Sequence, residues 1–458
     1  MKITKINVKN FMAFQADCEF NLQTEGKNWL LYGENGSGKS SLYQALNLFL
    51  SPNEQKITEY KNIFVGTDDG YVKLEIGNSG TPSNTFLWGK TAHPFKETLI
   101  LEASKTKGFL DYRALLQTHF VHSGNNVNVF NLLLDTLLVN IINPISKKTF
   151  KEDYLRISNA SNGRKGDSRT RIVNSYINDF NSGLNNLLNE LNKTANDIIE
   201  LFEQKVTIEL TLINKGLVYS PGKIPPKTRL SGETIELKVA YAKKPIDNHH
   251  HFLNEARLSA IAIAIYLAAL LLNPPSDLRI LFLDDVLIGL DMSNRLPLLD
   301  VLEKYFPDWQ KIIATYDRVW FEMVRQRIDE SKWQCGELYC CSLLESDYPV
   351  YKSDTDFLIV AKQHLNNNDL KAAAIYVRSA YEAAIKKFCD KHKLPVCYFE
   401  NPSKQSSNDF WEVVKARKLK LGGDLIDTTM ITNVELFRST VLNKLSHNAP
   451  INLVRKEV

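Results

Sequence analysis

Apolar and polar residues alternate at the start of this chain, and the period then changes repeatedly. Ile3, Ile6 and Val8 begin a strand-like segment; Phe11 and Phe14 follow, and Phe20 and Leu22 mark a second strand. Trp29-Leu30-Leu31-Tyr32 is a continuous apolar run, the pattern of a strand covered on both faces. Residues 41–46 then read as a helix. Tyr71-Val72-Lys73-Leu74-Glu75-Ile76 alternates cleanly and predicts a half-buried strand, and 96–101 reads as the end of another. Between 126 and 205 the period becomes helical. Ile172, Tyr176, Phe180, Leu184, Leu187, Leu188, Leu191, Ala195, Ile198, Ile199 and Phe202 recur at i+3 and i+4, predicting one amphipathic helix of about nine turns. Alternation resumes at Val206-x-Ile208-x-Leu210 and at Ile235-x-Leu237-x-Val239-x-Tyr241. A helix is predicted over 253–272, and strands over 278–283 and 311–315. Beyond Val350 the chain is Ala-rich and helical over 354–392, passes a Pro/Ser/Asn linker at 395–407, and is helical again over 409–447. The resulting division is an α/β lobe at 1–125, a helical insertion at 126–205, a second lobe at 206–350 and an all-α domain at 351–458.

Chemistry enters between the apolar run and the first helix. Gly33-Glu34-Asn35-Gly36-Ser37-Gly38-Lys39-Ser40 fits G-x-x-x-x-G-K-[ST] at every position, in the strand–loop–helix context that the motif needs. Its glycines let backbone N–H groups turn inward around phosphate oxygens, and the helix N-terminus adds a positive dipole end. Gly33, Asn35, Gly36, Gly38, Lys39, Ser40 and Ser41 are therefore candidate nucleotide contacts. Lys39 reaches the terminal phosphates, and the Ser40 hydroxyl is a ligand for Mg²⁺. Far downstream, Ile280-Leu281-Phe282-Leu283 is an apolar strand ending in Asp284-Asp285. Asp284 at a strand end suits the metal, and Asp285 suits a general base on the attacking water. Gly289-Leu290-Asp291 follows.

With those motifs in this order, the chain resembles the ABC-type ATPases of the SMC, Rad50 and RecF group over roughly residues 1–330. In that family a Walker A motif is followed by a helical insertion, a signature helix, Walker B, a D-loop and a switch residue. The resemblance implies a P-loop NTPase fold of the ABC-type head, with ATP and Mg²⁺ as cofactors. It also implies two subunits that sandwich nucleotide, a homodimer or higher oligomer. By the same resemblance Asp291 is the D-loop residue that communicates across the dimer. Tyr316 stands at the switch position near the γ-phosphate, and Gln117 is the Q-loop candidate on the metal. The signature is degraded. His251-Phe252-Leu253-Asn254-Glu255 aligns with it, and Asn254, Arg257 or Ser259 is left as the group reaching a partner's nucleotide. Asp285 where the family carries Glu, and Tyr316 where it carries His, point to slow turnover.

The insertion is too short for the long arms of chromosome-tethering members. The layout is similar to compact ATPase subunits of bacterial anti-phage systems: the AriA type of PARIS, paired with a TOPRIM nuclease, and the PtuA type of Septu, paired with an HNH nuclease. This similarity implies a sensor or scaffold holding a separate nuclease effector until a phage protein or DNA trigger arrives. A DNA-clamping repair ATPase of the RecF type is the alternative. A third reading is a HEPN-like ribonuclease built on Arg438 and His447, where eight residues separate the pair and that family has four to six.

Composition narrows the rest. A chain of 458 residues has room for two or three domains, and 44% hydrophobic with 24% charged residues is ordinary for a globular protein. Net charge is only +4, so any nucleic-acid contact needs a local patch. The basic tip at 162–171 offers one, although such runs usually form solvated loops. Six cysteines without a framework of short spacings suit a reducing compartment; Cys335, Cys340 and Cys341 read as buried thiols rather than metal ligands. His249-His250-His251 reads as a loop entering the 253–272 helix. The apolar stretch 258–272 is short for a membrane span, and no leader is evident, so a cytoplasmic protein with no membrane contact is expected.

Overall fold

The opening alternation forms β1 (Lys2–Lys9), followed by β2 (Cys18–Asn21). The continuous apolar run is β3 (Asn28–Gly33), buried at every residue, and it leads into α1 (Lys39–Phe49). Two further strands, β4 (Tyr71–Gly77) and β5 (Asn84–Gly89), complete an antiparallel sheet of order β2-β1-β4-β5. This computed structural model describes residues 1–78, 83–112, 128–161, 168–202, 204–221, 230–290, 295–342, 346–353, 357–397, 399, 404–418 and 425–439. They fall into two compact units, Met1–Ser353 and Asp354–Val458.

The segment expected to end a strand at 96–101 belongs instead to α2 (Thr98–Thr106). Ile100, Ala103, Ser104 and Thr106 are its buried residues, close to a helical period, and the three apolar residues of 96–101, Leu99, Ile100 and Leu101, were too few to distinguish the two. After α2 come β6 (Gly108–Asp111), α3 (Phe150–Ala160) and α4 (Ser168–Leu201). A capping box of Thr149 and Glu152 starts α3. The 34-residue α4 buries Val173, Ile177, Phe180, Leu184, Leu188 and Leu191 among others, so the long stripe faces the core.

β7 (Val206–Leu212), β8 (Val218–Tyr219), β9 (Leu230–Ser231), β10 (Ile235–Tyr241) and β11 (Lys244–Ile246) follow. They form an antiparallel sheet of order β11-β10-β7 and a separate β8-β9 ribbon. The free side of β7 lies against α4. Asn196 accepts from the Ile208 amide at 2.8 Å and donates to the Ile208 carbonyl at 2.8 Å; Asn192 does the same at Leu210, at 2.7 and 3.0 Å. Two side-chain amides thus replace a missing neighbour strand.

Next is α5 (Glu255–Leu271), apolar on all sides because it is packed on all sides. β12 (Ile280–Asp284), α6 (Pro297–Tyr305), β13 (Gln310–Thr315), α7 (Arg318–Arg327), β14 (Trp333–Cys341) and β15 (Tyr348–Ser353) close the unit. Its main sheet has the order β15-β14-β3-β13-β12-β6. All pairs from β14 to β6 are parallel, and β15 adds an antiparallel edge. β3, β12 and β13 are buried throughout, as parallel strands covered on both faces must be. The strands β14 and β15 were not among the elements expected from the pattern.

The second unit comprises α8 (Phe357–Asn366), α9 (Leu370–Lys391), α10 (Ser407–Ala416) and α11 (Thr428–Phe437). Its small core is Ile385, Cys389, Leu394, Trp411 and Val414. Asp369 and Asp427 cap α9 and α11 by accepting from Ala372 and Met430 amides at 3.1 and 2.7 Å.

Candidate nucleotide-binding site

β3 and β12 are separated by one strand, β13, and all three end at the same edge of the sheet. That edge is where ligands bind in open α/β sheets. The glycine loop leaves β3 there, and the acidic pair leaves β12. Consequently Ser40 Oγ donates to Asp284 Oδ2 at 2.8 Å across 244 positions of sequence. Lys39 is 4% exposed, and its Nζ lies 3.5 Å from Asp285 Oδ2. The same ammonium donates to the carbonyls of Gly33 at 2.7 Å and Glu34 at 3.2 Å.

The loop's shape depends on its glycines. Gly38 has φ +97°, and a Cβ there would lie 2.7 Å from Pro349 of β15. A Cβ on Gly33 would fall 2.4 Å from Ser37 Oγ. Gly36 and Asn35 are exposed, and the Ser41 hydroxyl accepts from the Ala13 amide at 3.4 Å. No side chain caps the N-terminus of α1, so its first amides remain available to an anion.

Asp284 is 4% exposed. Burial pushes its carboxyl up to about 6, with Asp285 and Asp111 adding to the rise against the Ser40 hydrogen bond and Lys39. Burial likewise raises Asp285, opposed by Lys39. Asp285 has φ +52°, a left-handed conformation that Asp tolerates better than most residues. This turn aims its Oδ1 at the Tyr316 amide, 2.9 Å away. The group of Tyr316 that meets the acidic pair is thus its backbone N–H; the residue itself is 39% exposed.

Ser37 Oγ and Asp284 Oδ1, both at this site, are among the buried polar atoms with no hydrogen-bond partner among the described residues. An interior normally satisfies such atoms, so two of them where the glycine loop meets the end of β12 fit a phosphate chain with a divalent cation. The residues that could hold the cation are Ser40 and Asp284.

Other expected site residues lie elsewhere. Asn254 is the N-cap of α5, its Oδ1 accepting from the Arg257 amide at 3.1 Å. Ser259 is buried, and a Cβ on Gly289 would come within 2.4 Å of its hydroxyl, so the segment after β12 packs directly on α5. His249-His250-His251 forms a short helical turn before that cap, with His249 buried. Gln117, Asp291 and His447 lie outside the described residues, as do Arg164 and Lys165 of the basic tip. Sequence reasoning missed Asp111 at the end of β6, which pairs in register with Asp284. The available signal was its likeness to β12: Phe109-Leu110-Asp111 is also a short apolar strand ending in a carboxylate.

The parallel sheet, the glycine loop at the end of β3 and the acidic pair at the end of β12 form the strand–loop–helix arrangement of a P-loop nucleotide site. Residues 1–86 match the AAA ATPase domain family. The chain is 32% identical over 153 residues to the Septu protein PtuA of Bacillus mycoides, a stretch amounting to 30% of this chain and 21% of that protein's length. Among solved structures it is similar to the Smc head domain of Pyrococcus furiosus with an extended coiled coil bound to the C-terminal domain of ScpA. That likeness has a TM-score of 0.47 at 14% identity and covers 80% of this chain and 99% of the other. The SMC head domain from Thermotoga maritima gives 0.39 at 12% identity, covering 76% and 98%. Among the described residues no helix is long and apolar enough to cross a membrane.

Proposed function

We propose that this chain binds and hydrolyses ATP with Mg²⁺ and pairs with a second copy of itself around the nucleotide. It acts as the sensor or scaffold subunit of a bacterial anti-phage complex that holds a partner nuclease of TOPRIM or HNH type. The hydrogen bond from Ser40 to Asp284, beside an Asp284 oxygen with no partner, carries the nucleotide reading. The defence reading is supported by the similarity to the Septu protein PtuA.

The loop amides and Lys39 would hold the phosphates, with Lys39 exchanging the carbonyls of Gly33 and Glu34 for phosphate oxygens. Ser40 and Asp284 would hold Mg²⁺, which when bound neutralises charge on the terminal phosphates. Turning Lys39 toward phosphate frees Asp285 Oδ2 from its 3.5 Å ion pair, leaving that carboxylate able to accept a proton from water. The Tyr316 amide keeps Asp285 aimed meanwhile. In the pairing of copies, Asn254 and Asp291 are the contacts made across the interface.

Lys39→Ala tests the site. Titration with a fluorescent ATP analogue is expected to show an affinity loss of roughly 100-fold, the scale of charge-assisted hydrogen bonds. Wild-type affinity in the variant would refute the reading. For the scaffold role, the expected result is co-purification with the product of an adjacent nuclease gene. Salt-dependent binding of duplex DNA by the isolated chain, with no such partner, would point to a DNA clamp instead.

A further inference from the structure

β6 runs parallel to β12, with Asp111 in register with Asp284. Residues at one register of parallel neighbours project to the same face of the sheet. Both carboxylates line one cleft of about 440 Å³ together with Ser40, Ser41, Gln44 and Asp285. Underneath, Tyr43 packs on Phe109 and Phe282 with ring centroids 5.4 and 5.2 Å apart, which fixes the end of β6 against the end of β12. Asp284 is more than nine-tenths buried, and its Oδ1 has no partner among the described residues. The ammonium of Lys39 is paired with the third carboxylate, Asp285, at 3.5 Å.

We propose that Asp111 is a second carboxylate, beside Asp284, for the divalent cation that arrives with the nucleotide; the assignment rests on the nucleotide site described above. Among the described residues, no group of three or more His, Cys, Asp or Glu side chains is arranged to hold a metal ion. The protein would therefore hold the cation only in part, through Asp111, Asp284 and Ser40, with the nucleotide's phosphates completing the set. Mg²⁺ is commonly held this way, by one or two carboxylates plus substrate phosphates. On this assignment Asp111 of β6, Asp284 of β12 and Ser40 of α1 would hold the cation together, and the end of β6 would respond to the state of the P-loop.

The experiment is equilibrium titration of the full chain with a fluorescent ATP analogue, in excess Mg²⁺ and in EDTA. Wild type is expected to bind more tightly with Mg²⁺. Asp111→Asn should lose on the order of tenfold of that Mg²⁺-dependent gain. In EDTA it should bind at least as well as wild type, because a negative charge facing the phosphates has gone. An undiminished Mg²⁺ gain in Asp111→Asn overturns the assignment while leaving the P-loop reading intact. A wild-type chain that binds no analogue in either condition overturns the P-loop reading itself. If Asp111→Asn fails to fold by circular dichroism, Asp111→Ser and Asp111→Glu take its place. The first is expected to lose the gain and the second to keep most of it; equal gains in both overturn the proposal. As an independent readout, free Mn²⁺ measured by electron paramagnetic resonance should fall on adding wild-type protein and nucleotide together, and fall less with the Asn or Ser variant.

Discussion

The free side of β7 and the edge of the parallel sheet that carries the glycine loop meet the same problem, strand ends and edges carrying polar groups, and resolve it in opposite ways. At β7, Asn192 and Asn196 of α4 each give one donor and one acceptor to the strand, satisfying Leu210 and Ile208. Beside the P-loop, Ser37 Oγ and Asp284 Oδ1 are buried without a partner, and Asp284 is pushed up to about 6 by burial. At the first edge the backbone groups of Ile208 and Leu210 are satisfied within the folded chain. At the second, two polar atoms are left for a ligand. Unsatisfied interior polar atoms are costly, and these two sit where the glycine loop meets the end of β12, the position that the proposed ligand would take.

The comparison makes opposite predictions for two substitutions. Asn196→Leu should be the more damaging, because it leaves the buried N–H and C=O of Ile208 unpaired at once. A loss of roughly 2–6 kcal/mol is expected from urea unfolding, at about 1–3 kcal/mol for each of the two orphaned groups. A loss of a few tenths would mean that β7 does not depend on its side-chain partners. Asp284→Asn should move the other way. It removes a buried charge that faces Asp285 and Asp111 while retaining an acceptor for Ser40. The ligand-free protein should gain about 1–2 kcal/mol, while stabilisation by Mg²⁺ and ATP disappears. Destabilisation of the ligand-free variant would show that the carboxylate is better satisfied than its surroundings indicate.

Legibility in the sequence follows the same division. β3, β12 and β13 could be read because strands buried on both faces are continuous apolar runs, and α4 because its stripe is long. The eight-residue glycine motif located one half of the site, and the paired aspartates at the end of a run located the other. What escaped were features made by tertiary neighbours. Asn192 and Asn196 look like solvent-facing helix residues until β7 is laid beside them. Asp111 is an unremarkable acid until β6 pairs with β12. β14 carries Gln334, Glu337 and two half-buried cysteines, which hide its alternation, yet it is the strand that flanks β3. Over 98–101 the run was too short to separate a helical period from a strand, and burial on one face of α2 decided it.

The two ends of α1 restate the contrast within one helix. Its N-terminus, at Lys39, has no side-chain cap; its C-terminal turn is closed by Lys107, whose Nζ donates to the Asn47 carbonyl at 2.5 Å and to Asn47 Oδ1 at 2.6 Å. Burial lowers the Lys107 amine to about 7. Because this folded-state value lies below the ordinary 10.5, the proton is held more tightly by the unfolded chain. Below pH 7 both states are protonated, and the cost of the buried charge is present in full. From pH 7 toward 10 the folded state releases its proton while the unfolded state keeps it, and stability rises by up to about 1.4 kcal/mol per pH unit. Lys107→Met removes this term, so the stability of wild type relative to the variant should climb between pH 7 and 9 and stay flat between pH 5.5 and 6.5. A difference that is flat across the whole range would mean that Lys107 stays charged, and that the closed end of α1 is held by an ion rather than by a neutral amine.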